Sequence, residues 1–396
     1  MGSLISKPLE SRELEKMKAA LENNSLSEVI GQSNINLNLL KNTTLDIAIT
    51  GESGAGKSAL VNALRGMTDF EEGAAETGIT ETTVESKGYP HPTSPKVTIW
   101  DLPGIGTLNF KAKEYLQMVK FEKYDFFMIL SSERFTENDV LLAREIQKMK
   151  KTFYYVRTKV DVSVDSEKSR PNFSEEETLK KLKKYLCDGL KTAGEPNPRV
   201  FLISRKDLNM YDFPLLRETL ANDLDDLKRY ALITTMPNLS REVLKKKKIT
   251  VEALIWTASL VSGSVGAIPV PGVSTVCDLG ILVGTMIDLC KVFGLDEDSL
   301  CRCASRVGKP VDMLRSAIEK SRVANKITPA FVMDLLQKST LFKTMTAAEL
   351  VLDYIPVLCS VFGAIGSFAT TFYMLTKFVK NLEEDAANVL DIAAEH

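Results

Sequence analysis

The fold of this chain is decided by the stretch Gly51-Glu52-Ser53-Gly54-Ala55-Gly56-Lys57-Ser58, which has the pattern G-x-x-x-x-G-K-[ST]. It follows an apolar run, Leu45 to Ile49, and leads into an apolar-striped helical pattern that begins at Ala59. Glycines let successive backbone N–H groups curve around a phosphate, and a helix N-terminus attracts anions. We expect Lys57 to bridge the β- and γ-phosphates and the Ser58 hydroxyl to ligate Mg²⁺. The stretch predicts a phosphate-loop domain, with residues 51–59 around a nucleoside triphosphate.

A second box, Thr158-Lys159-Val160-Asp161, indicates which base the nucleotide carries. The Asp161 carboxylate can accept hydrogen bonds from the N1–H and 2-amino groups of guanine, whereas adenine offers neither donor. We expect the Lys159 stem to lie along one face of the base. Taken alone, the box is also compatible with a strand-end Lys/Asp pair that binds nothing. Its position, about a hundred residues after the phosphate loop, favours the guanine interpretation, so GTP and GDP are the predicted ligands.

The other predicted features of the base end lie where two strands finish. Thr158 stands where an asparagine is commonest in small GTPases, so we expect one amide fewer in the network that ties the loops together. The apolar run that starts at Val200 ends in the polar Ser204. Backbone N–H groups of Arg205 and Lys206 are expected to meet guanine O6 there.

A D-x-x-G element, Asp101-Leu102-Pro103-Gly104, follows the apolar strand that ends at Trp100. Asp101 is expected to hold Mg²⁺ through water. The Gly104 N–H is expected to sense the γ-phosphate, because only a glycine lets the chain come that close. Ile105 stands where Ras-like enzymes have the glutamine that orients the attacking water. Intrinsic hydrolysis should therefore be slow and should depend on a group from elsewhere.

The remaining loop of the predicted site is the threonine-rich segment Thr77 to Thr83. One of its hydroxyls can complete the Mg²⁺ shell when GTP is bound. Thr83 is the predicted ligand, and Thr82 and Thr80 are the alternatives. For any one of these threonines, an ordinary polar surface loop is an equally good interpretation.

These motifs make the chain resemble the immunity-related GTPases, the interferon-inducible family of vertebrates. The resemblance is carried by W-D-L-P-G-I-G at Trp100 to Gly106, by V-R-T-K-V-D at Val156 to Asp161, and by the P-x-P-G region that ends at Gly272. With Lys57, the chain resembles the branch of this family that has lysine, not methionine, in the phosphate loop. The resemblance implies GTP-dependent self-assembly on membranes around intracellular pathogens. It also implies hydrolysis stimulated where two nucleotide domains meet, with a first-switch glutamate, Glu81 here, at that contact.

Alternation of strands and helices predicts an α/β fold, and the sequence pattern divides the chain into three parts. Residues 1–42 are predicted to be a helical segment, residues 43–227 a Ras-like phosphate-loop GTPase domain, and residues 228–396 a helical domain that the N-terminal segment joins. The predicted sheet is mostly parallel. Its strands are centred on Ile47, Val97, Met128, Tyr155 and Phe201.

Composition limits the class of protein and its partners. The chain has 396 residues, of which 44% are hydrophobic, and this supports packed cores in two or three domains. A net charge of −2 gives no general attraction for nucleic acid. Six cysteines without a disulfide framework and the lack of an apolar signal sequence favour the cytoplasm. Cys301-x-Cys303 has no second cysteine pair, and the chain has two histidines, so the sequence does not predict a zinc site there.

Several features suggest a membrane surface as a partner. Met1 to Ser6 matches the myristoylation pattern, with Gly2 as the acceptor, and one acyl chain needs a second signal for stable anchoring. The run Lys245 to Lys248 is either a solvated helix face or an attraction for anionic lipid. The long weakly charged stretches Val251–Cys277 and Tyr354–Thr376 suggest buried helices, with membrane-spanning helices as the alternative. We expect peripheral attachment to intracellular or pathogen-containing vacuole membranes.

Three functions are compatible with the sequence. The first is a GTP-hydrolysing, self-assembling and membrane-associated GTPase of innate immunity. The second is a binding module that GTP binding switches between states and that hydrolyses GTP slowly. The missing glutamine after Gly104 supports this function. The third is an integral membrane protein that uses the two uncharged stretches.

Overall fold

A computed structural model describes residues 35, 38–78, 85–105, 111–206, 208, 210–238, 240–266, 273–338 and 362–394. These residues fall into two compact units. One is Thr44–Thr235, and the other combines the described residues before Thr44 with those from Met236 onward. Within the described part of the chain, the strands all lie in the first unit, and the second unit is helical. The prediction of an α/β nucleotide domain with helices outside it is confirmed.

The first unit is built on a six-stranded sheet with the order β2-β3-β1-β4-β5-β6. Neighbouring strands are parallel, except that β2 runs antiparallel to β3 at the edge of the sheet. The mostly parallel sheet predicted from the sequence is therefore confirmed. The strands are β1 Leu45–Gly51, β2 Lys87–His91, β3 Ser94–Asp101, β4 Phe126–Ser131, β5 Thr152–Arg157 and β6 Val200–Leu202.

Burial explains why these segments form the sheet. Every residue of β4 is buried, as expected for a central parallel strand that is covered on both faces. β1 lies between β3 and β4, with Ile49 opposite Asp101 on one side and Met128 on the other. The strand order therefore reverses at β1. In open parallel sheets ligands bind outside the carboxyl ends of the strands at such a point, and here the phosphate loop follows β1.

The helices of the first unit begin at residues that satisfy free backbone N–H groups. Thr136 and Asp139 form a reciprocal capping box at the start of helix Glu137–Lys148. The Ser174 hydroxyl accepts from the Glu177 N–H at the start of helix Glu175–Thr192. The helices are α1 Lys57–Arg65, α2 Ala112–Met118, α3 Glu137–Lys148, α4 Val160–Glu167, α5 Glu175–Thr192, α6 Phe213–Asp223 and α7 Asp226–Thr235, with a 3₁₀ turn at Phe121–Lys123.

The end of the nucleotide domain differs from the predicted position. The sequence placed the boundary after residue 227, but that position lies inside α7. This helix packs against β1 and β3, with Ala231, Leu232 and Ile233 buried. The compact unit accordingly extends to Thr235. Pro237, which cannot continue a helix, follows this end.

The second unit is held together by two long helices, α8 (Arg241–Gly266) and α13 (Phe362–Ala394), which pack along one another. Trp256 of α8 contacts two phenylalanines of α13, with ring centroids 5.6 Å from Phe368 and 4.9 Å from Phe372. No described helix combines the length and apolarity that crossing a membrane requires. The helices are α8 Arg241–Gly266, α9 Val273–Val292, α10 Glu297–Val307, α11 Val311–Ser316, α12 Pro329–Lys338 and α13 Phe362–Ala394, with a 3₁₀ turn at Ala324–Lys326.

The lysine run of α8 does not form a single solvated face. An α-helix turns by about 100° per residue, so four consecutive side chains point in different directions. Lys245 is exposed, whereas Lys247 is only 3% exposed and donates to Asn238 Oδ1 at 2.7 Å and to the Val292 carbonyl at 2.5 Å. Lys248 forms an ion pair with Glu383 at 2.7 Å. Neither of the two interpretations of the run holds for Lys247.

Several predictions fall on residues outside the described ranges. They are the helical segment predicted for residues 1–42, apart from residues 35 and 38–42, the myristoylation pattern Met1 to Ser6, and the P-x-P-G region that ends at Gly272. Each of these stays a prediction.

Candidate functional site

A cavity of about 290 Å³ opens where the phosphate loop meets the loops that follow β3, β5 and β6. Its walls combine backbone of glycine-rich loops with a small number of charged and hydroxyl side chains. The lining residues are Ser53, Gly54, Ala55, Gly56, Lys57, Ser58, Ala59, Leu60, Ala63, Thr77, Gly78, Gly104, Thr158, Lys159, Ile203, Ser204, Arg205, Leu208 and Phe213.

Glycine at two positions of the phosphate loop is required by the backbone. Gly51 has a φ of 136°, and a Cβ atom there would lie 2.0 Å from the Leu130 carbonyl oxygen of β4. Gly56 has a φ of 88° and is the N-cap of α1. L side chains rarely adopt these conformations, so the loop can bend back toward the helix N-terminus only with glycine there. The sequence pattern therefore corresponds to a real constraint on the chain.

The Lys57 ammonium is held at the cavity by the phosphate loop itself. Its Nζ donates to the Glu52 carbonyl at 3.0 Å and to the Gly51 carbonyl at 3.3 Å, and the residue is 8% exposed. Lys57 is the first residue of α1, so a full positive charge adds to the partial charge at the N-terminus of this helix. Both the ammonium and the helix N-terminus would attract an anion in the cavity.

Ser58 and Asp101, the two predicted metal ligands in the described residues, lie side by side. The Ser58 hydroxyl donates to Asp101 Oδ2 at 2.6 Å. Asp101 ends β3 and is 1% exposed. A hydroxyl and a carboxylate are hard oxygen donors of the kind that Mg²⁺ prefers beside substrate phosphates, so these residues fit the ion.

The D-x-x-G element continues beside the phosphate loop after β3 ends. The Leu102 N–H donates to the Ile49 carbonyl and the Ile105 N–H to the Gly51 carbonyl, both at 3.0 Å. This pairing brings Gly104 to the cavity wall. The Ile105 side chain is 1% exposed and belongs to the hydrophobic core. It is therefore both apolar and buried, and cannot orient a water molecule.

At the base end, the Thr158 hydroxyl connects the loop after β5 to the phosphate loop. The hydroxyl donates to the Ala55 carbonyl of the phosphate loop at 2.7 Å and approaches the Ser131 carbonyl at 3.3 Å. The network has one amide fewer, as expected, and a threonine hydroxyl connects the two loops instead. Lys159 follows with a φ of 53° and lines the cavity. Asp161 lies in the first turn of α4, partly exposed, and is not part of the cavity wall.

The loop after β6 supplies another part of the base end. Ser204 is 1% exposed, and its Oγ accepts from the Lys206 N–H at 3.0 Å. Arg205 reaches across to Asp69, with 2.9 Å between Nη1 and Oδ2. Asp69 also accepts from Asn62 of α1 at 2.9 Å. Ser204 and Arg205 line the cavity, and Lys206 does not.

Sequence reasoning missed the apolar wall of the cavity. Leu208 and Phe213 contribute to it, and the Phe213 side chain is fully buried at the start of α6. Asp212 fixes this start, because its carboxylate accepts from the Leu202 N–H at 3.0 Å. The polar residue followed by Phe-Pro was a helix-start signal, but no pattern linked it to the nucleotide.

The first-switch residues are outside the described part of the chain. They include Thr80, Glu81, Thr82 and Thr83, so the metal ligand and the contact residue predicted there stay predictions. Thr77 and Gly78, which lead into that segment, line the cavity.

Comparison with known proteins adds to this geometry. A family model of interferon-inducible GTPases matches residues 10–393. Interferon-inducible GTPase 5 of Rattus norvegicus is 39% identical over 379 residues, which cover 95% of this chain and 81% of the relative. Interferon-gamma-inducible GTPase 10 of Mus musculus is 34% identical over 97% of this chain and 90% of its own. Among solved structures, the FeoB G domain from Methanococcus jannaschii matches 47% of this chain and 99% of its own, with 17% identity and a TM-score of 0.30. By the family match and these relatives, the chain belongs to the interferon-inducible GTPase family, and it is a GTP-hydrolysing enzyme.

Proposed function

We propose that this chain binds GTP at the described cavity, with the triphosphate on the loop Gly51–Ser58 and guanine beside Thr158, Lys159 and Asp161. The observation that carries the proposal is the pairing of Ser58 and Asp101 at 2.6 Å, directly beside Lys57. A hydroxyl, a buried carboxylate and an ammonium at one helix N-terminus match the needs of a triphosphate and its divalent ion. Membership of an interferon-inducible family supports a role in immunity.

The chain's own residues act mainly by positioning and charge. Lys57 neutralises negative charge on the β- and γ-phosphates, and the Gly104 N–H binds a γ-phosphate oxygen. Ser58, Asp101 and the predicted Thr83 would hold Mg²⁺, Asp101 through water, and the bound ion would polarise the phosphate oxygens. The protein takes little part in covalent chemistry. Electrostatic stabilisation of the transferring phosphoryl group is therefore the main source of rate enhancement.

Base selection is assigned to the loops after β5 and β6. The Asp161 carboxylate accepts from guanine N1–H and the 2-amino group, while the backbone N–H of Arg205 faces O6. The Lys206 N–H donates to Ser204 Oγ instead. Asp161 is partly exposed and lies beside the cavity, not in its wall. We propose that the carboxylate turns toward the base when guanine enters.

Calorimetric titration with GTP, GDP and ATP tests this proposal. Lys57→Ala should abolish nucleotide binding, because the phosphates then lose their full countercharge. Asp161→Asn should narrow the preference for GTP over ATP, since the amide can accept only one of the two guanine hydrogen bonds. Lys245→Ala, which removes an exposed lysine of the helical unit, is the control and should bind as the wild type does. An undiminished GTP preference in Asp161→Asn would refute the base assignment.

We further propose that hydrolysis is completed by self-assembly. Ile105 is apolar and buried, so the group that orients water comes from elsewhere. A second copy of the chain is the proposed source, with Glu81 at the contact between nucleotide domains. The competing function is a binding module that GTP switches and that hydrolyses slowly. Single-turnover hydrolysis at high protein concentration separates them, because a module would bind GTP tightly without acceleration.

Peripheral attachment of this cytoplasmic protein to intracellular or pathogen-containing vacuole membranes is the last part of the proposal. An acyl chain on Gly2 supplies one signal, and the exposed Lys245 contributes attraction to anionic lipid. The burial of Lys247 and the ion pair of Lys248 leave fewer of the four lysines for that role. Intact mass of the protein from a eukaryotic host tests the acylation, and a mass without the myristoyl increment would contradict it.

A further inference from the structure

A tyrosine hydroxyl joins the strand before the phosphate loop to the D-x-x-G element. Tyr115, in the first turn of α2, donates from its OH to the Pro103 carbonyl at 2.9 Å. The same oxygen lies 2.8 Å from Oγ1 of Thr50, the residue before Gly51. A phenol has one proton, and here it goes to Pro103, so the Thr50 hydroxyl donates to the Tyr115 oxygen. The result is a chain of hydrogen bonds from Thr50 through Tyr115 to Pro103.

This chain of hydrogen bonds is buried and has a consistent direction. Thr50 is 0% exposed and Tyr115 is 7% exposed. Hydrogen bonds shielded from water fix the positions of their partners more firmly than exposed ones do, because no solvent molecule competes for the acceptor. Burial also raises the pKa of the Tyr115 phenol, which favours the protonated hydroxyl.

Pro103 is the point at which the D-x-x-G element most needs a tie from a side chain. Main-chain bonds hold the element on either side, from Leu102 N–H to the Ile49 carbonyl and from Ile105 N–H to the Gly51 carbonyl. Proline has no N–H to donate, so its carbonyl is the group through which the middle of the element can be fixed. Gly104, the next residue, lines the cavity together with Lys57 and Ser58.

We propose that Tyr115 is a positioning residue for GTP, because its hydroxyl holds the Pro103 carbonyl and thereby keeps Gly104 where its N–H meets the γ-phosphate. GDP lacks this phosphate, so the hydroxyl contributes to the binding of GTP and not to that of GDP. The inference rests on the proposed function, since it requires the γ-phosphate to lie against Gly104. It assigns to α2 a direct part in distinguishing the two nucleotides.

Two tyrosine-to-phenylalanine variants test this role against a purely structural one. Tyr115→Phe removes the hydroxyl that binds the Pro103 carbonyl. Tyr124→Phe is the matched control, because the Tyr124 OH is also buried and donates to a main-chain carbonyl, that of Val119 at the other end of α2, at 3.0 Å. Affinities for GDP and for a non-hydrolysable GTP analogue are measured by calorimetry. Thermal unfolding of each variant is followed in parallel.

We expect Tyr115→Phe to lower the affinity for the GTP analogue relative to GDP by about fivefold, the effect of one neutral hydrogen bond. Tyr124→Phe should lower the melting temperature and leave the ratio of affinities unchanged. Thr50→Val, which removes the other end of the chain of hydrogen bonds, should shift the ratio in the same direction and replaces Tyr115→Phe if that variant fails to fold. An equal loss for both nucleotides, or the same shift in Tyr124→Phe, overturns the inference. A wild-type protein that binds neither guanine nucleotide overturns the proposed function itself.

Discussion

The Thr158 hydroxyl connects the base-binding box to the phosphate loop through the Ala55 carbonyl, at 2.7 Å. We expect Thr158→Val to lower the free energy of unfolding by about 1 to 2 kcal/mol, because the side chain keeps its shape while a buried carbonyl loses its donor. GDP affinity should fall as well, since Ala55 lies in the loop that holds the β-phosphate. Chemical denaturation and nucleotide titration measure the two effects.

Thr158→Ser is the control for this variant, because it retains the hydroxyl and loses only a methyl group. It should keep the nucleotide affinity of the wild type. If Thr158→Val bound GDP as tightly as Thr158→Ser does, the hydroxyl would have no part in shaping the loop.

Asp139 makes the stability of the nucleotide domain depend on pH. The side chain is fully buried, and burial raises its pKa from 3.8 to about 6, despite hydrogen bonds from Thr136 and Tyr155 that favour the charged form. Between about pH 4 and pH 6 the folded state keeps a proton that the unfolded state has released. Raising the pH therefore favours unfolding, by about 1.4 kcal/mol per pH unit for this one group.

Asp139→Asn removes this dependence, because an amide does not titrate. The difference in unfolding free energy between the variant and the wild type should grow in favour of the variant from pH 4 to pH 6 and level off above. Asp188→Asn, at an exposed position of α5, is the control and should parallel the wild type. A constant difference between Asp139→Asn and wild type over this range would show that the carboxyl is not held protonated.

At the scale of elements, the sequence predicted the strands that are buried and missed the one at the edge. Runs such as Phe126 to Leu130 are apolar throughout because both faces of the sheet are covered there. β2, Lys87–His91, contains Gly88 and Pro90 and, among the residues that the structure describes, pairs only with β3. Proline has no N–H to donate. It is tolerated at the edge of a sheet because no further strand needs a hydrogen bond from that position. The sequence of such a strand carries no strand pattern of its own, and the strand forms by pairing with its neighbour.

The candidate site divides in the same way between residues with a local signature and residues brought in by the fold. The phosphate loop, Asp101 and Thr158 were predictable because the backbone or the chemistry of each position restricts the residue type. Phe213 and Leu208 reach the cavity only because α6 starts beside the end of β6. Apolar residues of this kind occur throughout the core, so the sequence carries no mark of this role.

A buried lysine of helix α8 contributes to the stability of the helical unit. Lys247 connects α8 to Asn238 and to the Val292 carbonyl at the end of α9. Lys247→Met keeps the apolar stem but leaves both acceptors without this donor, so we expect a loss of about 2 kcal/mol in unfolding free energy. Denaturant unfolding measures it. Lys245→Met, on the exposed side of the same run, should change stability by less than about 0.5 kcal/mol.

For the whole molecule, the burial of Ile105 has a consequence that depends on protein concentration. With no water-orienting side chain at that position, an isolated chain should hydrolyse GTP slowly. If a second copy supplies the missing group, turnover per molecule should rise as the concentration passes through the range in which light scattering detects assembly. A specific rate that stays flat through that range would contradict activation by self-assembly and favour the module that GTP switches.

Glu81 allows this activation to be separated from GTP binding. Glu81→Gln should retain the GTP affinity and the slow rate of dilute wild-type protein, because the proposed role of Glu81 is at the contact between copies and not at the nucleotide of its own chain. The rise of turnover with concentration should be lost. Glu85→Gln makes the same change at an exposed position four residues further along and should preserve that rise. If both variants retained it, the contact would use a different residue, and if both lost it, the effect would come from the charge of the segment and not from Glu81.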